Sequence, residues 1–175
     1  MSDELGDDPY FERPGAREFD AALVREPLSA LPVREAVIFG TGDTVTEAMR
    51  AMQREHRGCV LVTDDGTRQS KLVGIFTERD VLLRIVDRGK NPATLPLSEV
   101  MTPDPDVLSV NSTVAYALNR MSVGGFRHVP VVDEEHRPAF VVSVRDVVEF
   151  LVEAFPREVL NLPVGAAAQR AREGA

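Results

Sequence analysis

The 175-residue chain has one cysteine, no tryptophan and few aromatic residues. Cys59 has no partner for an internal disulfide, so the expected compartment is the reducing cytoplasm. No run of about 18 uncharged apolar residues occurs, which excludes a membrane-spanning helix. Clustered lysine and arginine are also missing, so general binding to nucleic acid is excluded. No cysteine and histidine spacing matches a zinc site. The first residues, Met1-Ser2-Asp3-Glu4-Leu5, are acidic and lead into no apolar stretch, so they do not read as a secretory signal.

What is present is an ordinary globular composition, 43% hydrophobic and 27% charged, with a net charge of −8. The charge is uneven. Residues 1–26 carry eight acids against three arginines, residues 27–152 carry a net −3, and residues 153–175 are neutral. An anionic ligand would therefore be held by a few placed bases.

The main organising feature is an internal repeat. Pro27-Leu28-Ser29 aligns with Pro96-Leu97-Ser98, Thr44-Val45 with Thr113-Val114, and Met52 with Met121. After one inserted residue, Arg57 falls on Arg127 and Val62 on Val132. The loop at Arg68-Gln69-Ser70-Lys71 is shorter in the second copy, after which Thr77-Glu78-Arg79-Asp80 falls on Ser143-Val144-Arg145-Asp146. Copies of about 60 residues bury little surface alone and are expected to share one core.

Each copy reads β-α-β-β-α, giving an α/β fold of two units related by a pseudo-twofold axis. The first strands are Val37-Ile38-Phe39 and the stretch from Val107 to Val110. Val45, Ala48, Met49 and Met52 are spaced for one helix face, as are Val114, Ala117, Leu118 and Met121. Thr44 and Glu47 form a capping-box pattern. Strands follow from Cys59 to Thr63 and from Val129 to Val132, then from Leu72 to Phe76 and from Ala139 to Val142. The second helices are expected from Glu78 to Arg88 and from Val144 to Phe155, ended by Gly89 and Pro156. The expected organisation is an acidic segment over 1–26, units over 27–92 and 93–155, and a tail over 156–175. A short helix around Phe19, Ala22 and Leu23, and packing of Val159 to Pro163 back on the core, are further expectations.

Thr77-x-x-Asp80 and Ser143-x-x-Asp146 admit two readings. Each is a helix capping box. Each also places a hydroxyl and free backbone N–H groups where a phosphate can bind, with a carboxylate able to accept from ribose hydroxyls. Arg127-His128 and His56-Arg57 open equivalent strands, and an arginine fork suits phosphate. Arg79 and Arg145 reach toward the same phosphates or pair along their helices. Gly74 permits close approach to its strand, whereas Phe140 holds the matching place. Cys59 and the methionines read as packing.

Gly74-Ile75-Phe76-Thr77-Glu78-Arg79-Asp80, Gly125-Phe126-Arg127-His128-Val129-Pro130-Val131-Val132-Asp133 and Met101-Thr102-Pro103 resemble the motifs of a tandem pair of CBS domains, a Bateman module. The resemblance covers about residues 27–155. It implies a stand-alone, non-catalytic regulatory module with no obligatory cofactor or metal. It also implies an adenosyl ligand (AMP, ADP, ATP or S-adenosylmethionine), a homodimer and a protein partner to be signalled to. The ligand-binding candidates are Gly74, Thr77, Arg79, Asp80, Arg127, His128, Ser143, Arg145 and Asp146. Phe140 departs from the family pattern, so the site of Thr77 and Asp80, completed by Arg127 and His128, is expected to be the stronger. The apolar residues Val81, Leu82, Ile85, Val147, Val148 and Leu151 are expected to supply core and dimer interface. The alternatives are a structural dimerisation module with degenerate sites, or a small nucleotide-processing enzyme using Ser143 or Thr77 beside His128.

Overall fold

A computed structural model describes residues 25–154. The expectations for the amino-terminal segment before residue 25, for Phe155 and for the tail lie outside the described residues.

The repeat folds into two sheets. In the first, β1 (Ile38–Gly40) lies parallel to β2 (Cys59–Thr63), which pairs antiparallel with β3 (Leu72–Thr77). A fourth strand not read from the sequence, β4 (Thr102–Pro103), pairs antiparallel with β3. In the second sheet, β5 (Leu108–Ser109) lies parallel to β6 (His128–Val132), which pairs antiparallel with β7 (Pro138–Ser143).

Helix α1 (Val45–Glu55) begins at Thr44, whose hydroxyl accepts from the Glu47 amide while the Glu47 carboxylate accepts from the Thr44 amide. Helix α3 (Val114–Gly124) is capped by Thr113 in the same position. Helix α2 opens at Glu78–Asp80 and continues as wider π-helical turns over Val81–Val86, two residues short of the expected end. Its counterpart α4 (Val144–Ala154) is α-helical throughout.

The lead-in to each unit completes the other unit's core. Leu28, fully buried, packs with Leu108, Val114 and Val129, while Leu97 packs with Val45, Val60 and Phe76. Backbone bonds fix the exchange: Leu28 N–H donates to Ser112 O at 3.0 Å, and Leu97 N–H to Asp43 O at 2.9 Å. The units therefore do not close on their own helices alone, because each lacks the residues that fill one end of its core. A third apolar layer, including Cys59, Leu61, Leu72, Ile75 and Val132, joins the two sheets. Arg68, in the longer loop of the first copy, crosses the same seam and donates to Ala36 O at 2.8 Å and Ala139 O at 3.5 Å.

Candidate functional site

The exchange brings the strand starts of both copies to one axis. There Gly58 faces His128: a Cβ on the glycine would lie 2.8 Å from the imidazole, which would have to move to admit it. Two clefts open on either side, and Gly58, Glu78, Arg127 and His128 border both.

The Asp146 cleft, about 680 Å³, takes Ser143, Arg145 and Asp146 from the second copy and Arg34, His56 and Arg57 from the first. The Asp80 cleft, about 1000 Å³, takes Thr77, Arg79 and Asp80 from the first copy and Tyr116 and Arg120 from the second. Every candidate from the sequence except Gly74 lines a cleft. A Cβ on Gly74 would strike the Met101 side chain, so this glycine makes room for methionine instead of ligand. Phe140 lines neither cleft and packs against the core that holds Leu28. The glycine–phenylalanine difference therefore gives no ground for ranking the clefts.

The two carboxylates are built alike on one side and differently on the other. In Asp146, Oδ2 accepts from the Ser143 amide at 2.6 Å and the Ser143 hydroxyl at 2.7 Å. Among the described residues nothing bonds to its Oδ1. In Asp80, Oδ2 accepts from the Thr77 amide and hydroxyl, both at 2.8 Å, but Oδ1 pairs with Arg84 Nε at 3.2 Å. Arg84 also donates to Val100 O at 2.8 Å, to Met101 O and to Thr102 Oγ1 at 3.0 Å. Sequence reasoning missed Arg84, although a base four residues after an acid on a helix is a pairing signal. It also missed Arg34, Tyr116 and Arg120, which come from elements distant in the chain.

The basic groups are mixed in both clefts. In the Asp80 cleft Arg120 pairs with Asp106, and Arg79 donates to Gly125 O at 3.4 Å. In the Asp146 cleft Arg145 pairs with Glu149 at 2.8 Å, and the carboxylate raises the guanidinium pKa further. Arg34, Arg57 and Arg127 make no ion pair among the described residues. Arg57 donates to Glu35 O at 3.1 Å, and its Nε is buried without an acceptor. Burial holds the His128 pKa below its ordinary value, with Arg127 adding to the effect and Glu78 and Asp146 opposing it. Among the described residues no group of three or more His, Cys, Asp or Glu side chains is placed to hold a metal ion.

Comparison with known proteins agrees with this architecture. The CBS domain family model matches residues 28–87 and 97–153, so the chain belongs to the CBS-domain family as a tandem pair. An Arabidopsis thaliana CBS domain-containing protein is 32% identical over 144 residues, covering 82% of this chain and 25% of that protein. The chain spans a quarter or less of the length of the first curated relatives it matches. A CBS domain protein from Pyrobaculum aerophilum, complexed with AMP, superposes with a TM-score of 0.65 at 24% identity, covering 73% of this chain and 97% of that one. A CBS domain pair in complex with 5′-methylthioadenosine and S-adenosyl-L-methionine superposes at 0.60 with 22% identity, covering 68% and 94%. These likenesses show the fold.

Proposed function

We propose that the chain is a non-catalytic regulatory module that binds an adenosyl ligand between its two CBS units and passes the bound state to a protein partner. The observation that carries this reading is the Asp146 cleft. It sets a carboxylate oxygen with no partner among the described residues beside arginines with no ion pair among them, and a ribose diol and a phosphate supply the missing donors and acceptors. The ligands of the two structural neighbours, AMP in one and 5′-methylthioadenosine with S-adenosyl-L-methionine in the other, support the same class. Against an enzyme, the hydroxyls of Thr77 and Ser143 donate to their own carboxylates, and among the described residues neither bonds to His128. The arrangement of Ser143 or Thr77 as a nucleophile beside a His128 base needs that bond.

Dimerisation is part of the proposal. Ile85 and Val147 belong to the core, whereas Leu82, Leu83, Val86 and Val148 stand exposed on α2 and α4 and offer an apolar face.

Melting the protein with AMP, ADP, ATP, S-adenosylmethionine and NAD tests the ligand reading. A ligand at 100 times its Kd adds about 2.7 kcal/mol, an upward shift of roughly 5–10 °C for a chain of this size. A midpoint unmoved by the whole panel overturns the reading, and a structural dimerisation module then remains.

A further inference from the structure

We propose that the module takes one adenosyl ligand per chain, in the Asp146 cleft, and that Arg84 keeps the Asp80 cleft from taking a second. This rests on the ligand class proposed above and adds which cleft is used and what closes the other.

A carboxylate recognises a ribose diol by accepting from both hydroxyls, so it needs lone pairs that face the cleft. Asp80 has fewer to offer than Asp146, since Oδ2 accepts two hydrogen bonds and Oδ1 stands in an ion pair. It is 7% exposed, with one oxygen committed to the Thr77 amide and hydroxyl and the other to Arg84. To bind a diol it must give up a charge-assisted contact with a guanidinium that is itself anchored three times to the connection between the units, at Val100, Met101 and Thr102. Freeing Asp80 therefore unfastens that connection and strands a part-buried arginine. Asp146 meets no such demand. Its capping oxygen is used in the same way, while the other oxygen has no partner among the described residues.

The difference is written into the repeat. The offset that carries Asp80 onto Asp146 carries Arg84 onto Phe150, and Phe150 packs against the second core. The second copy thus has no group able to make the latch. Among the described residues the π-helical turns that hold Arg84 are likewise confined to α2, with Asp87 N–H donating to Leu82 O and Lys90 N–H to Ile85 O. π turns inside helices recur at functional positions. The remaining bases do not separate the clefts: Arg120 pairs with Asp106 and Arg145 with Glu149, while Arg79 on one side and Arg34 and Arg57 on the other pair with no acid among the described residues.

Isothermal calorimetry on the full chain, with AMP and separately with S-adenosylmethionine as probes, tests this. The expected wild-type stoichiometry is one ligand per chain, with Asp146→Asn weakening it tenfold or more. Arg84→Gln is expected to raise the stoichiometry to two. Two equivalent sites in the wild type overturn the inference while leaving the ligand class intact, and a folded Arg84→Gln with one site removes the role of Arg84. No heat with either probe overturns this inference, and the ligand reading falls with it if the melting midpoint is also unmoved by the whole panel. Amide NMR on the wild type needs no variant: AMP should shift Ser143, Val144 and Asp146 and leave Thr77 and Asp80 in place. Shifts at Thr77 and Asp80 instead would place the ligand in the wrong cleft.

Discussion

Cys59 stands 6% exposed in the apolar layer between the sheets, and the lost solvation of a thiolate there pushes its thiol up to about 12. A disulfide reagent at pH 8 should therefore modify the native protein only as fast as it opens, with the rate climbing steeply in denaturant. Rapid stoichiometric reaction without denaturant would contradict the burial. At His128 the sign is also fixed by burial. The unfolded histidine takes a proton near its ordinary value of about 6.5, the folded one only at lower pH. Between those values the unfolded state holds more protons, so stability falls as the pH drops below about 6.5. Chemical denaturation of His128→Gln across pH 5 to 8 should show a shallower acid-side decline than wild type; an unchanged slope would assign the decline elsewhere.

At the scale of elements, the lead-in segments matter more than their length implies. Leu28 and Leu97 each sit in short 3₁₀ turns, Leu28–Ala30 and Leu97–Glu99, yet both are fully buried in the core of the opposite unit. Truncating either should lower stability by about 2–5 kcal/mol, since the flanking strands cannot collapse into the space. The loss should appear in one cooperative melting transition, because each lead-in belongs to both units. Two separate transitions in Leu28→Ala would show that the units fold independently. The helices were legible because period and caps agree: Thr44 with Glu47 and Thr113 mark the starts, and the spaced Val, Ala and Met residues mark the buried faces. Strand β4 was not legible, because two residues ending in proline carry no alternation and pair only after the chain has crossed to β3.

For the whole molecule, the exposed apolar residues of α2 and α4 set the assembly prediction. Val86 is 66% exposed and Leu82 62%, and no described element covers them. Sedimentation at micromolar protein should give a dimer, and Val86→Glu with Leu82→Glu should shift it to monomer, since burying a charge in an apolar interface is strongly opposed. A wild-type monomer would refute the dimer. Among the described residues, no helix is long and apolar enough to cross a membrane.

By itself the sequence determined the doubled β-α-β-β-α order, the two hydroxyl-x-Arg-Asp boxes and the basic pairs at the strand starts, because periodicity, capping and repetition are local properties of a chain. That Arg127 and His128 would meet the other copy at the strand starts was also legible, since a pseudo-twofold repeat brings those starts together, but they border both clefts and so do not single out Thr77 and Asp80. Only the tertiary structure decided which core each lead-in fills, that Gly74 accommodates Met101, and that Phe140 turns to the core. It also decided that Arg84 spans from Asp80 to the connection at Val100 to Thr102. Each of these depends on where a side chain lands across the seam between copies, and residues far apart in sequence exert no local force that would announce it.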